Sequence, residues 1–101
     1  MWAQLISTRI KAGHESELPR LFETLHAAEQ PGSGLLHTFG LQDQKDPSRA
    51  VIFVVFESEE KARARENDPR RAEGLAAART VMAEIFDGSP EFVDLTVVHV
   101  G

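Results

Sequence analysis

The chain has no cysteine and no tyrosine, and only one tryptophan among its 101 residues. Without cysteine there is no disulfide, no thiolate nucleophile and no cysteine-based metal site. Basic residues are in deficit, 11 Lys and Arg against 16 Asp and Glu, for a formal net charge of -5. That balance argues against nucleic acid as the main partner, because phosphate binding needs a basic face. No apolar run approaches the ~20 residues that span a bilayer. Met1-Trp2-Ala3-Gln4-Leu5 lacks the charged start and long apolar stretch of a signal peptide. A cytoplasmic protein without membrane contact is the expectation. Gly32-Ser33-Gly34 does not join a strand to a helix N-terminus, so it is no phosphate loop, and no Gly-x-Ser-x-Gly elbow is present.

What remains is one domain over residues 1–101, organised as strand, helix, strand, strand, helix, strand. Trp2 to Lys11 reads as the first strand. Leu18, Leu21, Phe22, Leu25 and Ala28 form one apolar helical stripe, with Pro19 tolerated in the first turn. Leu35 to Leu41 is the second strand, with Leu35, His37, Phe39 and Leu41 expected on one face. Arg49 to Glu57 is the third. Ser58 is a natural N-cap ahead of Glu59 and Glu60, which suit the positive end of a helix dipole. Asn67-Asp68-Pro69 predicts a break, with Asp68 capping a new helix. Gly88 is the expected stop, and Phe92 to Val100 the last strand.

Two strand–helix–strand units in this order build an α+β, ferredoxin-like βαββαβ fold, a four-stranded antiparallel sheet of order 4-1-3-2. The run Ala50-Val51-Ile52-Phe53-Val54-Val55-Phe56 does not alternate, which marks a central strand apolar on both faces. Two helices cover one face of such a sheet. The other face calls for a second copy of the chain, so a homodimer through the sheet faces is expected.

The element order, the third strand ending in Val55-Phe56-Glu57-Ser58-Glu59-Glu60, and Asn67-Asp68-Pro69 in the following helix resemble the antibiotic biosynthesis monooxygenase family. The resemblance implies a dimeric α+β barrel, with a pocket in each protomer between sheet and helices. It implies cofactor-independent oxygenation of quinols or polyketide aromatics, or haem degradation. Haem-degrading relatives use a histidine of the second helical region, and here His14, His26, His37 and His99 all lie outside Ser58 to Phe86. That argues against haem. Oxygenases of the polyketide type use tyrosine, tryptophan and asparagine around the substrate, and of these only Asn67 carries over.

His37, in an apolar row, is the candidate general base, with a structural histidine as the plainer reading. Asn67 is the candidate holder of an oxyanion, or else a local capping residue. Arg9 is positioned to bind an anionic substrate, or to pair with Glu57 or Asp94. Phe53 and His99 complete the expected substrate contacts, with His99 alternatively an interface residue. Glu23-x-x-His26 has a metal-ligand spacing but no second ligand set, so it reads as a solvated face and no metal is expected. Lys61, Arg63, Arg65, Arg70, Arg71 and Arg79 read as salt-bridged surface among acidic neighbours. The expected activity is oxygenation of a small aromatic with no cofactor. The alternative is a dimeric small-molecule-binding or structural module without turnover.

Overall fold

The computed structural model covers residues 1–101. Strand β1 (Trp2–Arg9) leads through a 3-10 turn (Glu15–Glu17) into helix α1 (Leu18–Ala27). Strands β2 (Leu35–Gln42) and β3 (Arg49–Phe56) form a hairpin. Helix α2 (Glu59–Glu66), a second 3-10 turn (Pro69–Arg71), helix α3 (Ala72–Ile85) and strand β4 (Glu91–Thr96) complete the chain. The sheet is antiparallel throughout in the order β2-β3-β1-β4, the expected arrangement read from its other edge.

The helix boundaries follow from local chemistry. Ser58 Oγ accepts the Lys61 N–H at 3.2 Å and starts α2. At the predicted break, Asp68 accepts the Arg70 N–H at 2.9 Å, and Pro69 occupies the first position of the new turn. No side chain caps the start of α3, where the N-cap residue is Arg71.

Four sequence expectations are corrected. Helix α3 stops at Ile85, before Gly88, because Phe86 turns to extended backbone (φ -83°, ψ 136°), bridges to Ile10 and buries its ring. Strand β1 stops at Arg9, with only that isolated bridge beyond it. Strand β4 stops at Thr96, which sits opposite Trp2 at the start of β1. Past that point only the Val97 N–H finds a partner on β1's side, the Met1 carbonyl at 3.3 Å, and Val98 and Val100 stand exposed. A register shift between Leu35 and His37 puts Leu35 on the opposite face from His37, Phe39 and Leu41, as a bulge does.

Cross-strand pairing sorts the side chains of the sheet. Trp2, Gln4, Ile6, Thr8 and Ile10 look toward the helices, as do Ala50, Ile52, Val54 and Phe56. At one end, Ile10 and Ala50 meet Leu18, Leu21, Val81, Ile85 and Phe86 in the main core. At the other end, Trp2 and Phe56 pack with Ala62 in a smaller cluster. Helices α1 and α3 touch closely enough to require glycine at 74, where a Cβ would come within 2.5 Å of the Ala28 Cβ.

Candidate functional site

Between the two clusters, sheet and helices do not close on each other. They leave a cavity of about 650 Å³. Its floor is Trp2, Gln4, Ile6, Ile52 and Val54, and its roof is Phe22, Leu25, Leu75 and Met82. Gly40 extends the floor on β2 because a Cβ there would come within 2.3 Å of the Phe22 ring. The volume and the apolar lining match those of small-molecule sites.

Several polar groups of the cavity are occupied. Arg65 of α2 grips Glu29, just past the end of α1, through Nε (3.0 Å) and Nη2 (2.6 Å), and its guanidinium lies 5.3 Å from the Phe56 ring centre. Burial is the largest influence and raises the Glu29 pKa, but hydrogen bonds from Arg65 and Ser33, the Arg65 charge and the Gln30 backbone together outweigh it and hold the carboxyl below its ordinary range. Glu66 accepts from Arg63 at 3.0 Å. Arg63 also donates to Asp94 at 2.9 Å and lies 5.0 Å from the Trp2 ring centre, a cation–π contact over the cavity edge. Gln4 donates to the same Asp94 at 3.0 Å.

Thr38, His26 and Arg79 line the cavity without side-chain partners and are exposed, whereas Arg71 is buried. Its side chain lines the cavity with 4% of its surface exposed, and no carboxylate lies within ion-pair distance. Nη1 donates to the Arg65 carbonyl at 3.2 Å, and Nε is buried without an acceptor. Burial, and then the positive charge of Arg65, lower its pKa. The expectation of a salt-bridged surface therefore fails at Arg71, which is buried, and at Arg79, which is exposed without an ion pair, whereas Lys61, Arg63, Arg65 and Arg70 do pair with acids.

None of the five residues singled out from the sequence lines this cavity. His37 points to the other side of the sheet and stacks on Phe39, with ring centres 5.9 Å apart. Phe39 stacks in turn on Phe53 at 6.4 Å. The fold thus brings His37 and Phe53 together, but on the face opposite the cavity. Asn67 ends α2 and donates to the Arg63 carbonyl at 3.2 Å, the local capping role. Arg9 pairs with neither Glu57 nor Asp94. It donates to Asp46 Oδ2 at 3.0 Å and Ser48 Oγ at 3.1 Å, because the β2–β3 loop folds back over the end of β1. His99 is exposed beyond the end of β4.

The residues missed are His26, Glu29, Arg65 and Arg71. A helical signal for one of them was present. Phe22, Leu25 and His26 fall at i, i+3 and i+4 on α1, so His26, on the exposed side read as solvated, borders the cavity; Glu29 lies past the end of the helix. Arg71 had a weaker one, a cation placed at the positive end of a helix dipole.

The molecule is an α+β protein of ferredoxin-like topology with an interior, ligand-sized cavity under its helices. Residues 1–77 match the family described as antibiotic biosynthesis monooxygenase, and the chain belongs to that family. Among curated proteins, no sequence matches. Solved structures share the fold at low identity. A protein from Nitrosomonas europaea assigned as an antibiotic biosynthesis monooxygenase superposes with a TM-score of 0.78 at 15% identity, covering 98% of this chain and 100% of that one. SnoaB, a cofactor-independent oxygenase from Streptomyces nogalater, gives a TM-score of 0.76 at 16% identity over 98% and 94% of the two chains. A family protein from Chloroflexus aurantiacus gives 0.70 at 22% identity over 100% and 97%. At these identities the likenesses establish the fold alone.

Proposed function

We propose that this protein is a cofactor-independent monooxygenase that oxidises a small, electron-rich aromatic held in the interior cavity. The observation that carries this reading is the cavity itself, an apolar slot roofed by α1 and α3, in a member of a monooxygenase family. In the reaction a ring-activated CH2 loses a proton to a base. The resulting carbanion gives its electrons to dioxygen, one oxygen stays as the new C=O, and the other leaves as water. The base role expected of His37 passes to His26, since Glu29 and Glu66 are committed to arginines and His26 makes no side-chain hydrogen bond. Gln4, anchored on Asp94, is the amide that borders the substrate in place of Asn67.

A homodimer through the open sheet face belongs to the same proposal. The face carries Leu5, Val51, Phe53, Phe39, Leu41, Val93 and Leu95, and Phe39, Leu41 and Val93 are each close to half exposed. The chain's 6541 Å² of accessible surface exceeds by about 850 Å² what surface scaling gives for 11.2 kDa. A standard interface takes about 800 Å² per partner. In that dimer His37, Phe53 and His99 become interface residues.

The test is oxygen uptake with anthrone in metal-chelated buffer. One dioxygen consumed per anthraquinone formed, with the rate falling at least about tenfold in His26→Ala, is the expected result. No uptake above autoxidation across anthrones and quinols, with the cavity still binding them, overturns the oxygenase reading in favour of a binding module. That alternative draws on a specific observation, the ion pairs that occupy both carboxylates of the cavity.

A further inference from the structure

The cavity contains one buried charge that no carboxylate of the chain touches; Glu29, Asp68 and Glu66 act on it only from beyond ion-pair distance. Arg71 is 4% exposed, its one hydrogen bond is Nη1 to the Arg65 carbonyl, and its Nε is buried with no acceptor. Glu29, a carboxylate of the same cavity, is gripped by two nitrogens of Arg65, and Glu66 belongs to Arg63. Arg71 therefore sits beside a second guanidinium and at the start of α3, a helix of 14 residues whose dipole adds positive potential there. A buried, unpaired cation is costly, and folded chains keep such groups paired. Here the missing partner has one approach, from the cavity that Arg71 lines.

We propose that the ligand of this cavity is an aromatic carboxylate, its ring between the sheet floor and the α1–α3 roof, its carboxylate on the guanidinium of Arg71. Nη1 is engaged by the Arg65 carbonyl and Nε is buried, which leaves Nη2 to donate the charge-assisted hydrogen bond. Trp2, Ile52 and Leu75 supply the apolar enclosure for the ring. This inference rests on the interior cavity being the ligand site, as the proposed function holds, but it does not require turnover.

Isothermal titration calorimetry of the wild-type protein with 2-naphthoate and its neutral near-isostere 2-naphthamide tests it. The expected result is a preference for the carboxylate of about tenfold or more, as charge-assisted pairing in a dry site gives. Arg71→Met removes that preference while leaving naphthamide binding in place. The same variant, without ligand, melts no lower than wild type, because it deletes an unpaired buried charge. Equal affinity for the two compounds in wild type, or a preference that survives in Arg71→Met, overturns the proposal. So does a lower melting temperature in Arg71→Met with an unchanged affinity ratio, the signature of a merely structural arginine. The wild-type comparison decides the matter alone should the variant fail to fold. Naphthoate binding together with no oxygen uptake on anthrones and quinols removes the oxygenase reading and leaves this one standing. Binding of neither naphthalene compound overturns this proposal and leaves the oxygenase reading to the anthrone test.

Discussion

The two faces of this sheet are nearly equal in apolar side chains and opposite in circumstance. On one, Ile10, Ala50 and Phe86 are closed over by α1 and α3, Trp2 and Phe56 by α2, and the gap between these clusters is the cavity. On the other, Leu5, Phe53, Phe39, Leu41 and Val93 face outward with no element of the chain above them. The difference lies in polar content. The cavity face mixes in Gln4, Thr38, Arg65 and Arg71, which a ligand can address one by one. The open face stacks His37, Phe39 and Phe53 in a continuous ring series, which suits another flat apolar surface. The proposed division of roles follows from this contrast, a small molecule on one face and a second copy of the chain on the other.

Phe53→Asp acts most strongly on that division of roles. It places a carboxylate at the centre of the open face in both copies, and an unpaired buried charge costs several kcal/mol. Sedimentation equilibrium at micromolar concentration is expected to show dimer for wild type and monomer for the variant. A dimer unaffected by Phe53→Asp removes the open face from the interface.

A second, smaller contrast lies within one copy. In the monomeric Phe53→Asp background, Leu21→Ala empties a site with 0% exposure and costs about 2–5 kcal/mol by urea denaturation. Leu41→Ala, on the open face at 53% exposure, changes stability by about 0.5 kcal/mol or less. Equal losses would mean that β2 is covered in the monomer after all.

The weakest effect concerns pH. The carboxyl of Glu29 is held below its ordinary pKa in the folded protein by Arg65, Ser33 and the Gln30 backbone. Its contribution is therefore complete above the ordinary carboxylate range and is lost as pH falls through the lowered folded value. Glu29→Gln is expected to lower stability at neutral pH and to flatten the acid limb of the melting curve. An acid limb of wild-type steepness in Glu29→Gln assigns the effect to the exposed pairs.

The sheet was legible because its signals are local and redundant. The unbroken run from Ala50 to Phe56 marked a central strand, and Ser58 and Asp68 marked both helix starts by hydrogen bonds their side chains do make. Strand ends were less legible, since Val97 to Val100 has strand composition and stops only because β1 begins at Trp2. The Leu35–His37 register shift is invisible to alternation, and it decides which residues of β2 face the cavity. For the site, residue type misled. His37 drew notice for its apolar row, yet that row belongs to the open face. Arg71 resembled its neighbours in a charged helix, and only packing separates a buried guanidinium from exposed or paired ones. His26 needed the stripe of α1 to be followed past its apolar members, and Glu29 lies past the end of that helix.

A crystal structure of the wild-type protein grown with 2-naphthoate examines both faces at once. The naphthalene ring is expected beside Trp2 and Leu75, under the helices of each protomer, with the Phe39–Phe53 face against a second copy. Naphthoate bound on the Phe39–Phe53 face, over an interior cavity left to water, would contradict the assignment of both faces.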